Sequence, residues 1–201
     1  MKNKNNMKKK IALIALTIVI GNFVYGQKAE NFDYKQGKSF SLQMDAFDFM
    51  AKGFSLWGNY TFNYNRIFLD GGINQLPDFL NSLSDDFTEK RKYFIQAGYY
   101  RFIKKPNELF IGVELIYQQM KISNKSTSEV MENEVLRIAP VLGFEWIPFK
   151  SYDKFSITPW VSERLPLYSK EVYFPLAAKN YKTADFNFVM GCNIGIRLGK
   201  N

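Results

Sequence analysis

Apolar and polar residues alternate along most of the chain beyond residue 38, and the alternation has the period of a β-strand. In residues 186–199, FNFVMGCNIGIRLG, one parity is apolar throughout, and the other is small or polar apart from Val189. Since successive side chains of a strand point to opposite faces, this segment predicts a strand with one apolar and one polar face. The same pattern predicts six more strands, at residues 39–47, 54–65, 93–103, 109–118, 136–146 and 155–164.

The predicted strands and their connections suggest an outer-membrane barrel. Most strands run for about ten residues, the length that a tilted strand needs to cross a bilayer. The connections KKPNE and FKSYDK are short and polar, whereas the connections at residues 70–91, 122–132 and 166–183 are long. Short turns at one end and long loops at the other are typical of such barrels, which have an even number of strands. We therefore expect an eighth strand, at residues 169–176 or 27–38.

Local features modify this strand pattern. Pro140 and Pro159 fall inside predicted strands, where each removes a donor from the hydrogen-bond ladder, so bulges or local bends are expected there. The DGG sequence at residues 70–72 predicts a turn. A short amphipathic helix is expected in the first long loop, beginning near Pro77.

The polar face separates a membrane barrel from a soluble one. A soluble barrel would carry Lys and Glu at most outward positions, and its apolar face would line the interior. Here the polar face consists mainly of Ser, Thr, Asn, Gln and Gly, which suits a narrow, filled lumen. Its few charges can pair there because an unpaired buried charge is expensive. The expected ion-pair network of the lumen comprises Asp45, Glu114, Arg137, Glu145, Arg164 and Arg197.

The alternation also predicts which aromatic and apolar side chains face lipid and which face the lumen. The residues expected to face lipid are Leu56, Tyr60, Phe62, Ile111, Val113, Leu115, Ile138, Leu142, Phe144, Phe188, Met190, Ile194 and Ile196. The aromatic residues expected to help fill the lumen are Trp57, Tyr100 and Trp160. Those beside the predicted turns are expected at the membrane–water interface, namely Phe102, Phe110, Trp146 and Phe149.

The N-terminus predicts an export signal. MKNKNNMKKK is basic, and the apolar run IALIALTIVI is too short to span about 30 Å of hydrocarbon as a helix. We expect cleavage after Gly26, which gives a signal peptide at residues 1–26 and one domain at residues 27–201. The first 26 residues hold five lysines and no acid, so the formal charge of +8 falls to +3, with 22 basic and 19 acidic residues left. Nucleic acid is therefore not an expected partner.

Residue content excludes several kinds of chemistry. Histidine is absent and Cys192 is the only cysteine, which excludes Ser–His nucleophiles, histidine zinc sites and an intramolecular disulfide. The strongest candidates for a functional site are Glu114, Glu145, Arg137 and Arg164. The two glutamates could act as an acid–base pair, or the four residues could line a gated ion path. Carboxylates beside arginines without a nucleophile are more often structural. We therefore expect no enzymatic activity, no metal and no cofactor.

The alternating strands, the VYG sequence before Gln27 and the closing GCNIGIRLG resemble the small outer-membrane β-barrel proteins common in Bacteroidota. LGFEWIPFK followed by FSITPW is similar to a strand–turn–strand element of that group. The resemblance implies an all-β, closed antiparallel up-and-down transmembrane β-barrel of eight strands in the outer membrane. It implies contact with outer-membrane lipid and insertion by the barrel assembly machinery. Lipid A deacylase barrels share this size but depend on a His–Ser pair, which the chain lacks.

Three functions stay open from the sequence alone. The preferred one is a non-enzymatic integral outer-membrane protein with a filled polar lumen, serving envelope structure or binding a surface partner through its long loops. The second is a lipid-acting barrel enzyme or a small-solute channel that uses Glu114 and Glu145. The third is a soluble exported barrel that binds an apolar ligand, in which the apolar parity would point inward.

Overall fold

The computed structural model describes residues 38–50, 53–73, 86–103, 109–149, 154–183 and 187–198. The predicted signal peptide, the helix expected near Pro77 and residues 27–37 of one candidate strand lie outside the described residues.

Eight antiparallel strands form a closed ring in this part of the chain, one more than the seven that the alternation predicts and in agreement with the even number expected. The ring strands are β1 Lys38–Asp45, β2 Phe54–Phe62, β3 Asn65–Ile73, β4 Phe87–Phe102, β5 Leu109–Asn124, β6 Val130–Phe144, β7 Phe155–Ser169 and β10 Asn187–Arg197. The order around the ring is β1-β10-β7-β6-β5-β4-β3-β2, and β1 closes on β10. Two further strands, β8 Val172–Phe174 and β9 Lys179–Tyr181, form a separate two-stranded sheet, called the hairpin below. A short helix, α1 Ala46–Met50, follows β1.

The eighth strand of the ring is β3, so the location expected at residues 169–176 was wrong. The alternative at residues 27–38 lies outside the described residues except for Lys38, which begins β1. The stretch predicted as one strand over residues 54–65 contains β2, a two-residue turn at Asn63 and Tyr64, and the start of β3. Asn63 has a φ of 44°, a left-handed conformation that Asn tolerates better than most residues. The turn continues the apolar–polar alternation, which hides the chain reversal. The DGG sequence at residues 70–72 lies within β3 and is not a turn.

Two further predicted segments differ in the structure, one at residues 39–47 and one at residues 169–176. The strand predicted over residues 39–47 ends at Asp45, because α1 begins there. Asp45 Oδ1 accepts the Phe47 amide at 2.8 Å, the bond by which an N-cap residue satisfies a free helix donor. Residues 169–176 contain β8, which belongs to the hairpin and not to the ring.

The strands β4 to β7 are each 15 or 16 residues long, whereas β1, β2, β3 and β10 have 8 to 11 residues. The long loop expected at residues 122–132 is therefore mostly strand, with a connection from 125 to 129. The extra length of β4 to β7 lies at the end of the ring that carries the longer connections. We call these four strands the tall wall.

The register shifts of the ladder lie away from the two prolines. Register shifts occur between Arg91 and Tyr93 in β4 and between Leu136 and Arg137 in β6. Pro140 pairs with Val113 and Pro159 with Cys192 in unbroken registers. Neither proline shifts the register, so the bulges expected there are absent from these ladders. The β6–β7 ladder is nevertheless interrupted between Ile138 and Val141, where Pro140 lies.

The hydrophobic cluster of the described residues lies at the long-loop end, between the hairpin and the inner face of the tall wall. Its hairpin members are Val172, Phe174 and Tyr181. The tall wall contributes Phe87, Met120, Ile122 and Val135. The hairpin therefore covers the inner face of the upper part of β4 to β6.

Candidate functional site: the polar interior of the ring

The inner and outer faces of the ring have opposite polarity. The six residues of the predicted ion-pair network are between 0% and 6% exposed, so all of them lie inside. None of the residues predicted to face lipid is buried, and most are more than a third exposed. The ring thus places polar side chains inside and apolar side chains outside, as the sequence pattern predicts.

Glu145 joins two arginines at the short-turn end of the ring. The Arg66 Nη2 atom donates to both carboxylate oxygens of Glu145, at 2.9 and 3.0 Å. Arg197 Nη2 donates to Glu145 Oε2 at 2.8 Å. The Arg66 guanidinium also donates to Thr61 Oγ1 at 2.9 Å and lies 4.8 Å from the Phe102 ring centroid. This arrangement connects β3, β10 and the segment after β6, which is a structural role.

The two carboxylates proposed for acid–base work have different partners. The Tyr100 hydroxyl donates a hydrogen bond to Glu114 Oε1, whereas Glu145 is held by arginines. Both carboxylates are buried. The structure therefore does not bring Glu114 and Glu145 together as an acid–base pair.

The remaining members of the predicted network do not form one chain of ion pairs. Arg137 Nη1 donates to the main-chain oxygen of Arg164 at 3.5 Å. Asp45 Oδ1 accepts the Cys192 amide at 3.3 Å, in addition to its bond with Phe47. The network expected from the sequence is thus divided between Glu145 at one end and separate buried groups elsewhere.

Several buried charged and polar residues were missed by the sequence analysis. Arg66 and Asp70 lie on β3, where alternation with Ile67 and Leu69 could have identified them if the turn before β3 had been found. Arg91 lies beyond the register shift of β4, so its parity differs from that of the inward-facing residues below it. Gln96, which pairs with Asp70 across the β3–β4 ladder, lies on the polar parity of the strand predicted over residues 93–103 and is buried as that parity predicts.

Aromatic rings form a connected layer across the interior. Trp57 lies against Phe68 with a centroid distance of 4.7 Å, Phe68 against Tyr100 at 4.8 Å, and Tyr100 against Phe110 at 4.5 Å. Trp160 joins the layer at 6.2 Å from Trp57. The predicted lumen aromatics Trp57, Tyr100 and Trp160 therefore lie inside, together with rings that the sequence analysis did not place there.

Two aromatic residues were assigned to the wrong surroundings. Phe102 and Phe110, expected at the membrane–water interface, are buried inside the ring. Their positions next to a turn suggested the interface, but their parity on β4 and β5 points them inward. Trp146 is half-buried, and Phe149 is exposed beside the second turn.

Inward-facing glycines provide the space for these rings. Gly98 pairs with Phe68, Gly143 with Phe110 and Gly191 with Trp160 across neighbouring strands. A Cβ atom at any of these glycines would overlap the paired ring. Each ring therefore lies over a glycine of the next strand, which explains how a narrow interior accommodates large side chains.

The hairpin is fastened over the inner face by polar contacts as well as apolar packing. The Tyr181 hydroxyl donates to Glu89 Oε1 at 2.6 Å, and Lys179 Nζ lies 2.8 Å from Asp86 Oδ2. Burial raises the pKa of Tyr181, and the neighbouring Glu89 carboxylate raises it further. The phenol therefore stays protonated and keeps its role as a donor.

Comparison with known protein families, curated proteins and solved structures finds no match for this chain. Within the described ranges, no helix is long and apolar enough to cross a membrane. The same ranges contain no group of three or more Cys, Asp or Glu side chains arranged to hold a metal ion.

Proposed function

We propose that the chain is an integral outer-membrane β-barrel protein with a filled polar interior and a non-enzymatic role in the envelope or in surface interactions. The observation that carries this proposal is the polarity of the ring, which is apolar outside and polar inside. Soluble monomers rarely expose a continuous apolar surface larger than a few hundred Å². Closed rings of strands satisfy all backbone donors and acceptors in lipid, where water cannot.

The outer face has boundaries that suit a lipid layer. On β5, the outward residues from Leu109 to Tyr117 are apolar or aromatic, whereas the next two are Gln119 and Lys121. This apolar span is about 27 Å along the strand, or about 21 Å along the bilayer normal at a tilt of about 40°, close to the usual apolar band of such barrels. Beyond it, Lys92 and Glu132 form an exposed ion pair at 3.2 Å.

The filled interior favours a structural role over the channel and the enzyme. The aromatic layer and the pairing of Glu145 with Arg66 and Arg197 occupy the inner face at the short-turn end. Ion pairs and stacked rings of this kind hold strands together, and Glu145 is held by two arginines whereas Glu114 is held by Tyr100. The ends of the tall wall and the hairpin, both at the long-loop end, would form the surface that a partner binds.

The test is fractionation of the source cell, followed by electrophoresis of the outer-membrane fraction with and without boiling. We expect the protein in that fraction, with different mobilities in boiled and unboiled samples because the closed ring resists detergent until it is heated. A protein found in the soluble fraction, with one mobility in both samples, would contradict the proposal and favour a soluble barrel.

A further inference from the structure

The short helix α1 turns its aromatic side chains away from the interior of the ring. Phe47 and Phe49 are 44% and 55% exposed, whereas Asp48 between them is half-buried. The Asp48 carboxylate attracts Arg91, which lies inside the ring on β4. A polar side chain of α1 is therefore on the inner side, and two apolar side chains are on the outer side.

Contacts with the closing strand and with β2 hold α1 in this orientation. Asp45 Oδ1 accepts the Phe47 amide at 2.8 Å and the Cys192 amide of β10 at 3.3 Å. One carboxylate therefore joins the start of the helix to the strand that closes the ring. The Phe49 ring packs edge-on against Phe54 of β2, with a centroid distance of 6.1 Å. These contacts keep the aromatic side of α1 at the outer edge of the rim.

The outer face of the ring beside α1 stays apolar up to the rim. We call β1, β2, β3 and β10 the low wall, because the tall wall extends beyond them at the long-loop end. The exposed residues in the long-loop half of β2, β3 and β10 are all apolar, namely Phe54, Leu56, Leu69, Ile73, Phe188 and Met190. Since α1 directly follows β1, it continues this apolar surface at the rim.

Outward charge begins on the tall wall at the level where the low wall ends. On β4, which adjoins β3, Phe94 pairs with Gly72, and the exposed Lys92 lies two residues further towards the long-loop end. On β7, which adjoins β10, the first outward charge counted from the short-turn end is Glu163. It pairs with Phe188, near the start of β10. The apolar band therefore ends at the rim of the low wall, and only the tall wall continues beyond it.

We propose that α1 is a contact with the lipid surface, with Phe47 and Phe49 at the boundary between headgroups and acyl chains on the long-loop side. This inference rests on the proposed membrane location of the ring. The apolar face of an interfacial helix lies about 5–10 Å into that boundary. On β5 the tall wall continues from Gln119 to Asn124, about 20 Å along the strand or about 16 Å along the bilayer normal at a tilt of about 40°. The ring therefore meets the lipid surface at its rim on one side and stands above it on the other.

The test places one nitroxide spin label at a time on the full-length mature protein, folded in phosphatidylcholine vesicles. Cys192 is the only cysteine, so the background variant Cys192→Ala leaves each introduced cysteine as the only label site. Phe49→Cys reports on α1, Ile194→Cys on the middle of the outer face, and Lys121→Cys on the tall wall beyond the apolar band. The measured quantity is the collision rate of each label with oxygen, which dissolves in lipid, divided by that with a water-soluble nickel chelate.

We expect the highest oxygen-to-nickel ratio at Ile194→Cys, a lower but lipid-like ratio at Phe49→Cys, and a water-like ratio at Lys121→Cys. A water-like ratio at Phe49→Cys with a lipid-like ratio at Ile194→Cys would overturn the role of α1 and leave the membrane location intact. Low collision rates with both reagents at Phe49→Cys would mean that a protein partner or a second copy covers α1, which would also overturn it. A water-like ratio at Ile194→Cys would contradict the proposed function itself.

A second variant keeps the test decisive if the labelled proteins do not fold. Phe49→Trp retains an aromatic ring on α1, and its added fluorescence is obtained by subtracting that of the wild type. Lipids brominated near the headgroup should quench this added emission more than lipids brominated near the chain ends. Leu176→Trp, in the exposed turn of the hairpin, is the matched control and should not be quenched. Equal quenching of the two variants, or no quenching of Phe49→Trp, would overturn the proposal.

Discussion

Gly143 illustrates how single residues determine the packing of the interior. It pairs with Phe110 across the β5–β6 ladder, and the Phe110 ring occupies the space that a Cβ atom would take. We expect Gly143→Ala to lower the free energy of unfolding by about 1–3 kcal/mol, the usual cost of overpacking. Urea titration followed by tryptophan fluorescence, with the protein refolded into lipid vesicles, measures this change.

The outward-facing Gly58 provides the matched control for this prediction. A Cβ atom there would lie 3.7 Å from the nearest atom of Phe40, an ordinary contact distance. Gly58→Ala should therefore change the free energy of unfolding by no more than about 0.5 kcal/mol. Equal losses for the two variants would contradict a filled interior at Gly143.

At the residue scale, parity was sufficient to assign side chains to a face but not to pair them. Glu114, Glu145 and Arg137 were correctly placed inside because alternation fixes the face of each strand residue. The partners of Glu145 come from β3 and β10, which do not adjoin β6 in the ring. Such pairs depend on strand tilt and on the height of each residue in the ring, which a linear pattern does not contain.

At the scale of elements, the most buried hydrophobic side chain of the hairpin is that of Phe174. Phe174 is fully buried between the hairpin and Phe87 of the tall wall, with a centroid distance of 5.1 Å. Phe→Ala substitutions in cores cost about 3–5 kcal/mol, so Phe174→Ala should release the hairpin while the ring stays folded. Limited trypsin digestion should then cleave faster at Lys170, Lys179 or Lys182.

The neighbouring Tyr173 gives a control on the same strand. Its side chain is exposed, so Tyr173→Ala should leave the rate of cleavage unchanged. If both variants are cleaved at the rate of the wild type, the apolar cluster does not hold the hairpin in place.

The presence of a strand was easier to predict than the residues at which it begins and ends. Seven of the eight ring strands are recognisable because apolar and polar residues alternate over most of their length. β3 was missed because the turn at Asn63 and Tyr64 continues the alternation, and because Gly71 and Gly72 suggested a loop. The upper parts of β4 to β6 were missed because their outward residues are charged, including Lys90, Lys121 and Glu132. A strand whose outer face is polar loses the pattern that identified the rest.

At the scale of the whole molecule, the proposed lipid contact predicts that the cost of an arginine on the outer face depends strongly on its position along the strand. Ile194 lies on the outer face near the middle of β10. Ile194→Arg should lower the free energy of unfolding in lipid vesicles by about 2–4 kcal/mol, as expected for an arginine near the bilayer midplane. A urea titration of the folded protein in phosphatidylcholine vesicles gives this value.

Val130 on the tall wall is the matched position beyond the apolar band. It is exposed on β6 and has the same parity as Glu132 and Glu134. Val130→Arg should therefore leave the free energy of unfolding nearly unchanged. A similar loss for both variants would argue that the outer face is not in lipid.

The closure of the ring by β1 and β10 has a consequence for how the chain folds. Met44 pairs with Ile194, so the last ladder joins residues from opposite ends of the described chain. Contacts between such distant residues are slow to form because a long loop must close first. Until β10 is made and docked, β1 and β7 each present an unpaired edge that can capture another strand. Newly synthesised chains therefore depend on protection from aggregation until their final strand is in place.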